Sequence, residues 1–397
     1  MNNDLSSYFE DPEFKEALEK YEGMVKNHTP AYFDADELTD IAEYYASKGR
    51  QIEAEAAIDF ALQLHPNDTD ALIFRARSLA MKGRLDEAYM VMDLIEDRSD
   101  REVRFLKADL LMEEKRMEEA DHVFEELAAY EEGKLETLID IILAYIDANQ
   151  EALAKKWIKH VGETYDLASL SQKNQKFRDL LCDFYITFNN PEAAIPLLQA
   201  TLDCYPYSIN HWNSLGKCYL STNDYEEAHE AIDFALAIDD SNAEALTLKA
   251  FCYQQSGELQ KSCDYYLRLA EQQENKTRAY LALAKTYFEM QDYTSSIYYI
   301  EALLDNKDAL SKYELSELYG DIALCHAALK HIGVGQASIR RSLELNENDP
   351  DTLIVAGRFF LMEAKACNDE TAKAENQAKG ELYFRQALNL IMEDERL

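Results

Sequence analysis

The sequence predicts an all-α protein, a solenoid of about ten helical hairpins behind an N-terminal capping helix. Three observations carry that prediction. Apolar residues recur at helical steps within units of about 34 residues, small residues return at two fixed places of each unit, and a large apolar residue returns at a third. With units starting at 35, 69, 101, 135, 175, 209, 243, 277, 316 and 350, the eighth place reads Ala42, Ala76, Ala108, Ile142, Cys182, Gly216, Ala250, Ala284, Ala323 and Gly357. The twentieth reads Ala54, Ala88, Ala120, Ala154, Ala194, Ala228, Ser262, Ser296, Gly335 and, eleven places late in the last unit, Gly380. Nineteen of these twenty are Ala, Gly, Ser or Cys, where average usage gives roughly a quarter. The twenty-fourth place is always large: Ile58, Met92, Phe124, Ile158, Leu198, Ile232, Tyr266, Ile300, Ile339 and, with the same delay in the last unit, Phe384. Small facing large at constant spacing lets two helices approach closely and fill the gap between them.

In chain order, residues 1–34 read as one amphipathic helix and a connector. Asp11 caps the helix, Pro12 stands in its first turn, and Phe14, Ala17, Leu18, Tyr21 and Met24 share a face. Asn27 to Phe33, with Pro30, leads into the repeats, which group as 35–174, 175–315 and 316–397 of one continuous solenoid. The turn inside each hairpin carries Gly49, Gly83 and Gly257, or Asn149, Asn189 and Asn223, residues that tolerate a left-handed helix end. Pro66 and Pro206 close two units. The unit from 69 is two residues short, Ser169 to Asn174 adds six, and Ser311 to Leu315 adds five. In the last unit Cys367 to Asn376 reads as an extended turn or as lengthened helices, and Pro196 should cost its helix a hydrogen bond.

The most regular unit runs from Ile209 to Asn242. Trp212, Leu215, Gly216 and Tyr219 share one helix face, Asn223 and Asp224 interrupt it, and Ala228, Ile232 and Ala235 form a second stripe. These residues resemble the tetratricopeptide repeat, W-x2-L-G-x2-Y followed by A-x3-F and a closing Pro, with Ile232 in place of Phe and Asp240 in place of Pro. The resemblance covers residues 35 to 393 or so. It implies a right-handed superhelix whose first helices line a concave groove, where a peptide segment or partner protein binds.

Seventy-six acidic against 40 basic residues give a net charge of −36. Such a chain is a poor match for nucleic acid or an anionic membrane surface, which need basic patches. Seven Cys without paired spacing, at positions mostly inside the repeats, fit reduced thiols and a cytoplasmic location. Met1 to Glu10 is polar and acidic, with no apolar run of a signal peptide or membrane span. No phosphate-binding Gly loop, metalloprotease motif or nucleophile elbow is present. His326 takes the eleventh place, Tyr in several other units, and reads as a core residue. Glu118, Asp121, His122 and Glu125 share a helical face that reads as solvated surface. The ten repeats leave no span for a catalytic domain, so the expectation is a non-enzyme without cofactor or metal.

Within the implied groove, the free face of each first helix falls at the second, fifth, ninth and twelfth or thirteenth places. The partner-binding residues expected there are Ile73, Arg77, Phe105, Asp109, Met112, Ile139, Leu143, Asn213, Lys217, Phe251, Arg278 and Lys285. Exposed apolar groups on that face would mark a binding surface. The N-terminal part collects Asp36, Glu43, Asp70, Glu102, Asp109, Glu113, Glu136 and Asp147, whereas Lys217, Arg278 and Lys285 stand further on. Such a groove would orient an extended partner with its acidic end on the basic side. One subclass of the family grips the carboxylate tail of heat-shock chaperones through a fifth-place Lys, and no fifth place here holds Lys. The alternatives are a self-assembling protein, such as a homodimer, and an auxiliary subunit of a separately encoded enzyme.

Overall fold

The computed structural model describes residues 8, 9, 11–27, 30–305 and 310–394. Most of the polar, acidic stretch Met1 to Glu10, that is residues 1–7 and 10, lies outside them. The described residues form twenty-two α-helices and no strand. Helix α1 (Pro12–Asn27) precedes ten hairpins, and in each hairpin the first helix is termed A and the second B. The pairs are α2 (Ala35–Ser47) with α3 (Gln51–Leu64), α4 (Thr69–Met81) with α5 (Leu85–Met92), α6 (Arg101–Glu113) with α7 (Met117–Tyr130), and α8 (Leu135–Asp147) with α9 (Glu151–Thr164). A short helix, α10 (Leu167–Lys173), comes before α11 (Gln175–Thr187) and α12 (Pro191–Cys204). Then follow α13 (Ile209–Thr222) with α14 (Tyr225–Ile238), α15 (Ala243–Gln255) with α16 (Leu259–Ala270), and α17 (Lys276–Glu289) with α18 (Tyr293–Leu304). The last are α19 (Lys312–Ala328) with α20 (Ile332–Leu345) and α21 (Pro350–Ala366) with α22 (Glu370–Asp394). The chain divides into two compact units, Met1–Leu180 and Leu181–Leu397.

Each unit is an α-solenoid in which the small-against-large pattern holds the hairpins together. All twenty eighth- and twentieth-place residues are buried, and of the twenty-fourth places only Ile158 and Phe384 are half-buried. Gly216 shows why a small residue is needed: a Cβ built there would stand 2.7 Å from Ile232 Cγ1. In the first unit α1 lays Phe14 and Tyr21 on a cluster with Phe33, Leu38 and Ile41 of the first hairpin, as expected of a cap.

The turns are closed in one way throughout. The fifteenth place of nine hairpins has positive φ, including Gly49 (71°), Asn223 (64°), Lys115 (62°), Gln291 (62°) and Lys330 (61°). The next residue's N–H then reaches back to the eleventh-place carbonyl, as in Arg50 to Tyr45 (2.8 Å), Asp224 to Tyr219 (2.8 Å) and His331 to His326 (2.8 Å). This is the six-to-one bond of a Schellman end. Three of these turns use Lys or Gln where sequence reasoning looks for Gly or Asn, because the hairpin geometry overrides a local preference of about 1–2 kcal/mol.

The departures become extra helix. Residues 169–173 belong to α10, Ser311 caps α19 through a reciprocal pair with Glu314 (2.8 and 3.2 Å), and residues 370–376 extend α22 to 25 residues. Helix α12 continues through Pro196, with Pro191 in its first turn. The two-residue deficit of the second hairpin falls on α5, only 8 residues long.

Candidate protein-interaction face

The A helices of successive hairpins are joined by a repeated charged rung. The ninth-place cation of one unit meets the second-place carboxylate of the next: Arg77 Nη2 lies 3.7 Å from Glu102, Lys217 pairs with Glu244, and Lys285 Nζ lies 3.2 Å from Glu317. Arg77 also reaches Asp109 at 3.4 Å. Within each unit the ninth place of one hairpin and the second place of the next therefore stand side by side.

In the first unit this face differs from the expectation. Ile73, Phe105 and Ile139 are buried, Phe105 and Ile139 each only 6% exposed, so they are not available to a partner. Phe105 sits 5.3 Å from the ring of Phe124 and beneath the Arg101 guanidinium, 5.0 Å above it. Met112 and Leu143 are half-buried. The reason is crowding: Phe105 packs on the second helix of its own hairpin, and Ile73 joins a core cluster with Val103, Leu106 and Leu110 of the next one. What remains outside is acidic. Burial lifts the carboxyls of Asp40, Glu43, Asp70 and Asp109 above the usual range, and neighbouring carboxylates add to it, while Arg77 opposes the shift at Glu43 and Asp109.

In the second unit Asn213 is 1% exposed; its Nδ2 donates to Asn242 Oδ1 and Glu244 Oε2, both at 3.1 Å. Lys217 and Lys285 are exposed but neutralised by their rungs, which corrects the expectation of a free basic end. Phe251 is 41% exposed. Arg278 is also exposed and has no ion pair among the described residues. These two occupy the ninth place and the following second place, the pair of positions that elsewhere forms a rung.

Sequence reasoning missed a cavity of about 160 Å³ between α19, α20 and α21, walled by Gly320 and Val355 and ringed by Glu317, Asp321, Asp349 and Asp351. The available signal was Gly320, a fifth-place glycine where the other units carry side chains. Trp212 also differs from the core filler expected. It is half-buried and stacks on the 53% exposed Phe234 with ring centroids 4.5 Å apart, its Nε1 donating to the Pro206 carbonyl at 2.8 Å. The fully enclosed indole is Trp157, whose Nε1 donates to Asp121 at 2.9 Å. Asp121 also accepts from Tyr145 at 3.0 Å and pairs with Lys156, so it ties helices together instead of lying on an idle surface. His326 is half-buried, and burial lowers its pKa.

Among the described residues no helix is long and apolar enough to cross a membrane. The chain is 26% identical over 191 residues to the formate-dependent nitrite reductase complex subunit NrfG of Escherichia coli O157:H7, which spans 46% of this chain and 89% of that protein. Among solved structures it is similar to a tetratricopeptide repeat protein from Parabacteroides merdae, at 17% identity and a TM-score of 0.46 over 65% of this chain and 98% of that one. It is also similar to PilW, a type IV pilus biogenesis factor, at 15% identity and a TM-score of 0.42 over 55% and 99%. The family pattern of the tetratricopeptide repeat matches residues 39–89 and 213–277. These segments carry tetratricopeptide repeats, and the hairpins, buried small residues and Schellman turns recur along the other described residues.

Proposed function

We propose that this protein is a non-catalytic adaptor that holds a segment of a partner protein on the A-helix face of its second unit, around Phe251 and Arg278. Proteins of this family are generally scaffolds for protein partners, and the observation that supports this location is local. Of the apolar candidates of the first unit, Ile73, Phe105 and Ile139 are buried and Met112 and Leu143 half-buried, whereas Phe251 stays 41% exposed on a face otherwise closed by charged rungs. An exposed aromatic ring next in register to an arginine without an ion pair is the composition of an interface anchor. Arg278 supplies a charge that a partner carboxylate can complete. The test is affinity capture from extract of the native cell with wild type and a Phe251→Ala/Arg278→Glu variant. Partners lost by the variant at unchanged melting temperature support the reading; equal capture by both proteins refutes it.

A second reading is an auxiliary subunit of an enzyme complex. It draws on the similarity to a nitrite reductase complex subunit, at 26% identity over 46% of this chain. Co-purification of an enzyme with the wild-type chain distinguishes the two.

A further inference from the structure

The cavity beside the Lys285–Glu317 rung is a consequence of a missing side chain. Gly320 holds the fifth place of its unit, where Asn213 and Leu281 stand in others. A Cβ there would meet Val355 Cγ1 at 2.9 Å, so glycine lets α21 approach closely and leaves the space next to it open. The volume of about 160 Å³ exceeds several times that of one water, about 30 Å³ in the liquid, and admits a side chain.

The lining carries no lysine or arginine, its serine and threonine hydroxyls are engaged, and the Tyr313 hydroxyl lies beside Asp351. Ser342 Oγ donates to the Ser316 carbonyl at 2.8 Å. Thr352 Oγ1 donates to Asp349 Oδ2 at 2.9 Å, and the same carboxylate accepts the Thr352 N–H at 2.8 Å. Glu317 already faces Lys285 at 3.2 Å. That leaves Asp321 and Asp351, for which the described residues provide no cationic contact within ion-pair distance. Asp321 is the more costly of the two to leave open: burial and Glu317 push its carboxyl up to about 6 against the opposing pull of Lys285 and Arg358. The lining lacks the geometry of a metal site, since among the described residues no group of three or more His, Cys, Asp or Glu stands close enough to hold an ion.

We infer that this cavity receives a cationic side chain, arginine or lysine, of a protein segment bound on the same A-helix face. The inference rests on the reading of that face given above. The rung fixes the geometry, because Glu317 is both the end of the Lys285 rung and the lip of the cavity. A segment lying along the A helices past Lys285 therefore passes its mouth. Asp321 and Asp351 supply the acceptors, and the guanidinium or ammonium supplies the positive charge that the lining lacks.

The experiment titrates the full chain with labelled, end-blocked Gly-Ser dodecapeptides bearing one central arginine, lysine, citrulline or glutamate, read by fluorescence anisotropy. The expected result is a preference of roughly tenfold for arginine or lysine over citrulline, falling to about unity in an Asp321→Asn/Asp351→Asn variant. Asp349 is left unchanged because it caps α21. Equal binding of the arginine and citrulline peptides overturns the inference, as does a preference that survives in the variant. Stoichiometric calcium binding at the cavity that displaces the arginine peptide would overturn it in favour of a metal ion. Partners captured by the Asp321/Asp351 variant but lost by the Phe251/Arg278 variant would sink this inference alone and leave the adaptor reading standing.

Discussion

The two units use one register differently. In the first, apolar groups on the A-helix face are drawn into the core, as Phe105 is against Phe124 of its own hairpin, and the exposed remainder is carboxylate around Arg77. In the second, the same ninth place holds an exposed Phe251 between two charged rungs, and the next hairpins open a cavity. A repeat position thus sets where a side chain starts, while its length and its neighbours decide whether it ends in the core or in solvent. Inner-face residues of a solenoid cannot be assumed available for binding on register alone.

The largest expected effect tests that contrast directly. Phe105→Ala should cost about 3–5 kcal/mol by leaving a cavity, whereas Phe251→Ala, already half in water, should cost under about 1 kcal/mol. Denaturant titration of the two variants decides it, and equal losses would erase the distinction between the units. Next, Gly216→Ala should cost about 1–3 kcal/mol through overpacking, since the added methyl meets Ile232 at 2.7 Å. An unchanged denaturation midpoint would show that the hairpins yield more easily than their packing implies.

A third effect depends on pH. The Asp321 carboxyl is raised from 3.8 to about 6 by burial and by Glu317, with Lys285 and Arg358 opposing and Asp349, Asp351 and Tyr313 lining the same cavity. The folded state therefore favours the protonated acid. The stability this gives is fully present below about pH 4 and is lost as pH rises to about 6. Asp321→Asn should accordingly stabilise the protein by about 1–2 kcal/mol at neutral pH and by nothing near pH 4, as thermal melts across that range would show. The same titration predicts that cationic peptides bind more weakly as pH falls through about 6. The smallest effect concerns the turns. Lys115→Gly, Gln291→Gly and Lys330→Gly should each stabilise by about 0.5–1 kcal/mol, because each residue holds a left-handed conformation that glycine adopts without strain. A loss on substitution would mean that the side chain contributes more than its backbone strain costs.

The hairpin count, nine of the ten unit starts to within a residue (α19 begins at Lys312, not 316), and the buried small residues were legible because they obey local and periodic constraints: a helix needs a spacing, and a close approach needs a small residue at a fixed place. Gly49 and Asn223 announced their turns through backbone preference, while Lys115 did not, since its left-handed conformation is imposed by the hairpin around it. The candidate face was legible as a set of places and only partly as a set of available residues. Burial of Phe105 and Ile139, the half-exposure of Trp212 against Phe234, and the pairing of Lys217 and Lys285 with glutamates of the following hairpin all depend on which neighbours a side chain meets across helices. The cavity beside Gly320 is of the same kind, since an empty volume is a property of several helices at once. What the sequence determined by itself was therefore the repeat, its fold and its register, through distances of a few residues along the chain. What only the tertiary structure decided was which of those places face solvent, because exposure and charge compensation arise from groups on different helices, such as Lys217 with Glu244 and Trp212 with Phe234.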